Sequence, residues 1–416
     1  MRNSLMASVA AVAVVGLCPS FVFGQRVSIA PVGSLTRDID PGNDQNIELQ
    51  VGESEIPSRM SLFPVDRGAR DAWVSAKEKM KVSIGLEFAL ESTVIYQATS
   101  GSRGPNEAAE NTTTLSGLWM PFKVPDSKDG IGIGFAAETR QNFSGANFLD
   151  MKQSIGTLWS PNDATSDDYA TITQLWFGQR LADERLVYLI GKIDPGSYIN
   201  GNRFAGSGNT QFFSQPFATD PAKAFPANGI GAMGRIIPCD WFHIQGVISN
   251  GDSVNTHSPF TSINGNWLYA TELVFKPKIP GMGEGNYRVM LYTRDFEPQN
   301  TAGWALSFDQ NLTDQVGLFF RYDSNDGRVS SISQIASGGV ALLQPFGRVN
   351  DQTGIGISYT HPSNPDQRDE YSSEVYYRLQ LTDFLEFSMS AQGVFHPSAA
   401  PEDTIGIFGF RFRVLF

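Results

Sequence analysis

The sequence predicts an all-β fold, an antiparallel transmembrane β-barrel of about sixteen strands preceded by a short N-terminal periplasmic helix. Three observations predict it. Apolar and polar residues alternate with period two over most of the chain, as on the two faces of a strand. The final stretch, IGIFGFRFRVLF, puts phenylalanines on one face and Arg411 and Arg413 on the other. Long and short connections alternate, as in outer-membrane barrels, whose turns are short on the periplasmic side.

The first 24 residues are predicted to be a secretory signal peptide rather than a membrane anchor. Arg2 precedes an apolar run, which Pro19 ends before it is long enough to cross a bilayer. Small residues then suit a cleavage site at Gly24. Removal of residues 1–24 leaves Cys239 as the remaining cysteine, so the sequence allows no intramolecular disulfide.

Two segments separate this signal from the barrel. Residues 25–63 show no sustained period and are punctuated by Gly, Pro, Asp and Ser, which predicts a flexible periplasmic segment. Residues 64–81 place apolar side chains such as Trp73 and Met80 at helical spacing, and Pro64 suits the start of a helix. We therefore predict a short amphipathic helix at the mouth of the barrel, where it packs against the barrel or, as the alternative, partly gates it.

The barrel itself is predicted over residues 82–416, where about sixteen segments alternate apolar and polar residues. An even number of strands brings both ends of the sheet to the periplasmic side, so the last strand can close on the first. The long connections include 142–169, 195–228 and 250–265. A barrel of this size leaves an aqueous channel, and the connection 195–228 is long enough to fold inward and narrow it.

Composition and motifs argue against several function classes. The net charge of -12 disfavours a nucleic-acid partner, which would need a basic surface. The histidines are scattered without metal-ligand spacing, and no catalytic or cofactor motif stands in its required context. We therefore predict no enzyme, no cofactor and no metal site. The Asp-rich stretches Asp163–Asp168 and Asp323–Asp326 lack the EF-hand pattern, and Ca²⁺ binding there is left open.

Several stretches, in order, carry a family resemblance. They are GLEFALESTVIYQ at 85–97, LIGKIDPGSYINGNRFAGSGNTQFF at 189–213, NYRVMLYT at 286–293, GLFFRYDSNDG at 317–327, and the C-terminal run from EVYYRLQLTDF to IGIFGFRFRVLF. In this order they resemble the carbohydrate-selective porin family, the OprB-like outer-membrane porins. The resemblance covers roughly residues 64–416.

The resemblance implies an outer-membrane pore that passes mono- or small oligosaccharides by facilitated diffusion through a water-filled, charge-lined channel. Its partners would be outer-membrane lipid and the transported sugars. Such porins commonly form homo-oligomers, although no stretch of the sequence identifies a subunit interface. A general or small-anion diffusion porin is the first alternative. A barrel-embedded hydrolase would need a Ser–His pair on neighbouring strands, for which the sequence offers no good candidate, and a structural or adhesive barrel would show no solute flux.

The alternation also assigns a lumen face to each strand. Inward charges of both signs and aromatic rings suit a weak sugar site, because Arg donates hydrogen bonds, carboxylates accept them, and rings stack on a pyranose. The alternative for each residue is ordinary lumen lining or loop packing. The candidate channel-lining residues are Lys192, Asp194, Asn202, Phe204, Glu272, Arg288, Tyr292, Arg294, Arg321, Glu374 and Arg378.

Overall fold

A computed structural model describes residues 46–54, 62–63, 67–123, 127–163, 168–253 and 265–416. Sixteen antiparallel strands form one closed barrel, in which strands adjacent in sequence pair and β16 closes on β1. The predicted fold class is confirmed. The strands are β1 Leu86–Thr99, β2 Glu107–Lys123, β3 Gly130–Asn142, β4 Tyr169–Leu181, β5 Leu186–Ile193, β6 Gly229–Cys239, β7 Phe242–Asn250, β8 Trp267–Phe275, β9 Gly285–Phe296, β10 Gln299–Asn311, β11 Val316–Asn325, β12 Ile332–Leu343, β13 Gln352–Pro362, β14 Glu370–Gln380, β15 Leu385–Phe395 and β16 Thr404–Leu415.

The last strand shows how the sheet separates lipid from lumen. Phe408, Phe410 and Phe412 are exposed on the outer surface, whereas Arg411 and Arg413 are buried inside the barrel. An apolar outer face suits hydrocarbon, and a closed ladder leaves no strand edge whose backbone groups would meet lipid. The outer-membrane location and the multi-pass barrel predicted from the sequence are confirmed.

One end of the barrel carries short turns, among them 182–185, 240–241, 312–315 and 381–384. The first residues of β1 and Phe416 lie side by side at this end of the barrel. The Phe416 N–H donates to the Leu90 carbonyl at 2.9 Å, and the Leu90 N–H donates to the Phe416 carbonyl at 3.1 Å. Because outer-membrane barrels place their short turns inside the cell envelope, this end is the periplasmic one.

The helices in the described ranges are α1 Ile47–Ser54, α2 Arg67–Ile84, α3 Phe148–Ile155 and α4 Gln215–Ala218, with 3-10 turns at Pro195–Ser197 and Pro345–Gly347. The predicted amphipathic helix corresponds to α2. Its Trp73 ring lies 5.9 Å from the ring of Phe88 and 6.2 Å from that of Phe416, so α2 packs on the seam between the first and last strands. Among the described residues, no helix is both long and apolar enough to cross a bilayer.

The junction between α2 and β1 differs from the prediction, which began the barrel at Val82. Val82 and Ile84 belong to the last turn of α2, and β1 starts at Leu86. Gly85 makes the break with a φ of 72°, and its N–H donates to the Lys81 carbonyl at 3.0 Å, a common way for a helix to end. Over a few residues, apolar side chains two positions apart are compatible with a helix as well as with a strand. The alternation therefore placed the start of the barrel too early.

The flexible segment predicted for residues 25–63 is wrong for residues 47–54, which form α1. Ile47 and Val51 are buried inside the barrel, at 0% and 2% exposure. Short isolated helices have little stability of their own, so this one depends on contacts that its local sequence does not reveal. The predicted export signal, residues 1–24, lies outside the described residues.

Replacing Gly85 by alanine is expected to destabilise the protein. A Cβ there would stand 2.2 Å from the Met120 carbonyl oxygen, and the left-handed φ adds roughly 1–2 kcal/mol of strain. Gly281→Ala is the matched control, since Gly281 has a φ of 82° and open space where its Cβ would stand. We expect the urea midpoint of unfolding in lipid vesicles to fall further for Gly85→Ala. Equal shifts for the two variants would show that the Met120 contact is unimportant.

Candidate functional site

The lumen is occupied by the connection between β5 and β6, residues 194–228, which we call the inner loop. It leaves the outer end of β5 through the 3-10 turn Pro195–Ser197, where Asp194 accepts the Gly196 N–H at 3.0 Å and the Ser197 hydroxyl at 2.6 Å. Most of its residues are buried. The inward folding predicted for this connection is therefore confirmed, and the barrel is much narrower than its strand number alone would make it.

Carboxylates on the barrel wall bind backbone N–H groups of the inner loop. Glu374 on β14 accepts the N–H groups of Phe213 at 2.7 Å and Ser214 at 2.9 Å, together with the Ser214 hydroxyl at 2.6 Å. Glu272 on β8 accepts the N–H of Asn200 at 2.7 Å. Hydrogen bonds to carboxylates are among the stronger ones, and these satisfy backbone groups that burial would otherwise leave unpaired.

Arginines on the wall bind carbonyl groups of the same loop. Arg321 on β11 donates to the Ala205 carbonyl at 2.9 Å. Arg411 on β16 donates to the Gln211 carbonyl at 3.0 Å, and its guanidinium lies 4.2 Å from the centre of the Phe213 ring. Because β8, β11, β14 and β16 are separate parts of the wall, the loop is held from several directions.

Aromatic rings of the inner loop fill spaces that wall glycines leave. Phe212 and Phe217 pack with their ring centres 4.8 Å apart. A Cβ on Gly356 of β13 would stand 2.8 Å from the Phe217 ring, and one on Gly317 of β11 would stand 2.2 Å from the Phe204 ring. Only residues without a side chain allow this approach, so wall and loop are complementary in shape as well as in charge.

The connection between β3 and β4 adds a second inward segment, residues 156–163. Its Leu158 N–H donates to the Glu370 carboxylate of β14 at 3.2 Å. Its Ser160 N–H donates to the side-chain oxygen of Gln215, in the inner loop, at 2.8 Å. The two inward segments are thus joined to each other as well as to the wall, and both narrow the lumen.

Most of the predicted channel-lining residues face the lumen, but they hold the inner loop rather than stand open to solute. In addition to the contacts above, Arg294 donates to the Ala224 carbonyl at 3.1 Å and Asn202 donates to the Ser307 hydroxyl at 3.2 Å. Arg378 faces inward and keeps partial exposure. The inward residues that are buried are Asn202, Phe204, Glu272, Arg288, Tyr292, Arg294, Arg321 and Glu374.

For Lys192 and Asp194 the structure differs from the prediction. Lys192 stands opposite Leu175 and Ile230 in the register, in a row whose other side chains face outward. Its own side chain is nevertheless buried, at 2% exposure, and its ammonium donates to the Ile172 carbonyl at 2.8 Å. Asp194 lies beyond the end of β5 and caps the 3-10 turn. The prediction failed because β5 is apolar on both faces, so hydrophobic alternation does not tell which row points inward.

Charged side chains that keep partial exposure lie toward the periplasmic half of the lumen. Arg203 of the inner loop is 30% exposed and Arg180 of β4 is 21% exposed. Glu48 and Glu53 of α1 are 22% and 28% exposed. The candidate set from the sequence contains none of them. Alternation on β4 could have identified Arg180, whereas the two glutamates depend on a helix that was not predicted.

The side chains in the lumen can therefore contact a solute through hydrogen bonds and through their charges. Burial lowers the pKa of Lys223 in the inner loop, and the nearby Asp220 carboxylate opposes part of this shift. Its ammonium lies 5.0 Å from the Phe225 ring. In the part of the chain that the structure describes, no three His, Cys, Asp or Glu residues are placed to hold a metal ion. Such a lining suits weak, reversible contact with polar solutes.

Known sequences resemble this chain along most of its length. The family described as carbohydrate-selective porin, OprB family, matches residues 244–416, which confirms the resemblance predicted from the sequence. Porin AaxA of Chlamydia abortus is 22% identical over 245 residues, 58% of this chain and 53% of that porin, so the match spans about half of its length. Porin AaxA of Chlamydia trachomatis serovar D is 22% identical over 357 residues, 78% of this chain and 76% of that porin.

A solved structure shares the fold. The high pH structure of Pseudomonas putida OprB superposes with a TM-score of 0.69 at 16% sequence identity, covering 83% of this chain and 97% of that chain. At this identity the likeness concerns the barrel architecture and not the residues inside it.

Glu374→Gln is expected to loosen the inner loop and raise the ion conductance of the barrel. The new amide nitrogen would face N–H donors and could not accept from them, and each unsatisfied buried group costs about 1–3 kcal/mol. Single-channel recording in planar bilayers measures the effect. Glu402→Gln is the control, because Glu402 pairs with Arg103 at 3.3 Å on the exposed outer surface. Unchanged conductance in Glu374→Gln would contradict the anchoring role.

Proposed function

We propose that this outer-membrane porin passes carbohydrates, as mono- or small oligosaccharides, by facilitated diffusion. The observation that carries the proposal is the inner loop, which narrows a closed barrel and leaves charged groups of both signs partly exposed along the remaining space. Sugar hydroxyls both donate and accept hydrogen bonds, so a mixed lining suits them better than a lining of one sign. The match to a family described as carbohydrate-selective supports the same solute class.

Within this proposal the solute meets the partly exposed side chains. Arg378 is the candidate from the sequence that fits, since its hydrogen bond to the Asn350 carbonyl is long, at 3.4 Å. Arg203 and Arg180 add donors, and Glu48 and Glu53 add acceptors. Four other wall candidates fix the inner loop and hence the width of the passage, namely Glu272, Arg294, Arg321 and Glu374.

A general or small-anion diffusion porin is the second candidate, and one observation favours it. Arg180, Arg203 and Arg378 are all partly exposed in the lumen and would attract anions. A barrel-embedded hydrolase fits less well, because the fold and the family match indicate a channel rather than an enzyme.

Solute flux into proteoliposomes separates these functions. Neutral sugars of increasing size are compared with organic anions of matched size, and we expect the sugars to enter faster at equal size. Protein-free liposomes and a sugar too large for the lumen serve as controls. If sugars and anions of equal size enter at equal rates, the proposed sugar preference is wrong. Faster entry of the anions would favour the small-anion porin. If neither sugars nor anions enter the proteoliposomes, the proposed diffusion through the barrel is wrong.

Arg378→Ala is expected to weaken the block of ion current by added sugar by roughly fivefold, as the loss of one hydrogen bond of about 1 kcal/mol implies. The ion current is recorded in planar bilayers while sugar is titrated. Arg103→Ala, on the outer surface, is the matched control and should leave the block unchanged. If sugar blocks the ion current through Arg378→Ala as strongly as the current through the wild type, Arg378 does not contact the solute.

A further inference from the structure

Helix α1 lies inside the periplasmic half of the barrel, against the inner faces of β1, β2 and β3. Its buried apolar side chains, Ile47 and Val51, belong to one apolar cluster with Leu118 of β2 and Tyr198 of the inner loop. An α-helix with its side chains is about 10 Å across, so α1 removes a substantial part of the lumen that the strands enclose.

Ion pairs hold both ends of α1 to the wall. Glu48, near the first turn, pairs with Arg180 on β4. Glu53, near the last turn, pairs with Arg413 on β16 at 2.5 Å. Arg413 is also bound by Glu91 of β1 at 2.7 Å and by Glu386 of β15 at 3.1 Å. The helix thus bridges two parts of the wall on either side of β1–β3.

The helix also meets the inner loop. The Asn46 side-chain amide, just before α1, donates to the Ser197 carbonyl at 3.0 Å. Asn209 of the inner loop donates to Glu91 at 2.6 Å, and Glu91 shares Arg413 with the helix. The two elements therefore stand one after the other along the lumen, the inner loop entering from outside and α1 closing the periplasmic side.

From these contacts we infer that α1 forms a second constriction in series with the inner loop and sets the upper size of solute that can leave into the periplasm. This inference rests on the proposed diffusion through the lumen but not on the preference for sugars. Two constrictions in series limit passage at the narrower one. Glu48 and Glu53 of α1 and Arg180 of β4 keep 21–28% exposure there, so a solute leaving the inner loop meets charges of both signs again.

The contacts that hold α1 make the inference testable. An eight-residue helix is not stable alone, and only Ile47 and Val51 give it fully buried apolar contact. Neutralising both glutamates, in Glu48→Gln/Glu53→Gln, removes both ion pairs with little change of volume. We expect this variant to release the helix from the wall for part of the time.

The test measures the size limit for uncharged solutes in proteoliposomes and the single-channel conductance, in the wild type, the double variant and a chain lacking residues 46–54. We expect both changed chains to admit larger solutes and to conduct at least twofold more. Glu402→Gln, which removes a carboxylate from an exposed ion pair on the outer surface, is the control and should match the wild type. Thermal unfolding followed by circular dichroism confirms that each barrel is folded.

A thiol probe reports directly on the position of the helix. Val51→Cys in a Cys239→Ser background leaves one thiol once the predicted signal is removed, and we expect faster labelling in the double variant. An unchanged size limit in the chain lacking residues 46–54 would overturn the inference, as would an unchanged limit in a double variant whose introduced thiol labels fast. If wild-type barrels pass anions as readily as sugars, the proposed sugar preference fails, yet the size limit still reports on α1.

Discussion

A loop buried inside a barrel must find hydrogen-bond partners for its backbone away from bulk water, and the arrangement of the lumen follows from that requirement. Here the partners are charged wall residues. Carboxylates such as Glu374 and Glu272 accept from loop N–H groups, while Arg321 and Arg411 donate to loop carbonyls. The wall thus carries charges of both signs because a backbone presents both donors and acceptors.

The barrel could be predicted from the sequence because its signal is long and redundant. Period two recurs in strand after strand, and a uniformly apolar outer face such as that of Phe408, Phe410 and Phe412 fixes which side meets lipid. Prediction failed where the local pattern of apolar residues did not distinguish the two faces of a strand, or a helix from a strand. β5 is apolar on both faces, which misplaced Lys192, and the residues around Gly85 fit a helix as well as a strand.

The sequence predicted which residue types face the lumen, but not whether each of them contacts solute or holds the inner loop. Alternation correctly turned Arg321 and Glu374 toward the lumen. Whether such a residue meets solute or backbone depends on where a long loop lies, and that position is set by contacts far apart in sequence, such as Phe204 against Gly317. Helix α1 was missed for a related reason, since its partners Arg180 and Arg413 lie more than a hundred residues away along the chain.

The inner loop has a mechanical consequence for the barrel that surrounds it. Its anchors on β8, β10, β11, β14 and β16 connect opposite parts of one circumference through a packed interior. A hollow sheet cylinder can flatten into an oval when the surrounding bilayer presses on it unevenly. We expect a barrel that is cross-linked from within by these contacts to resist such flattening, and hence to keep its cross-section when the surrounding lipid changes thickness or lateral pressure.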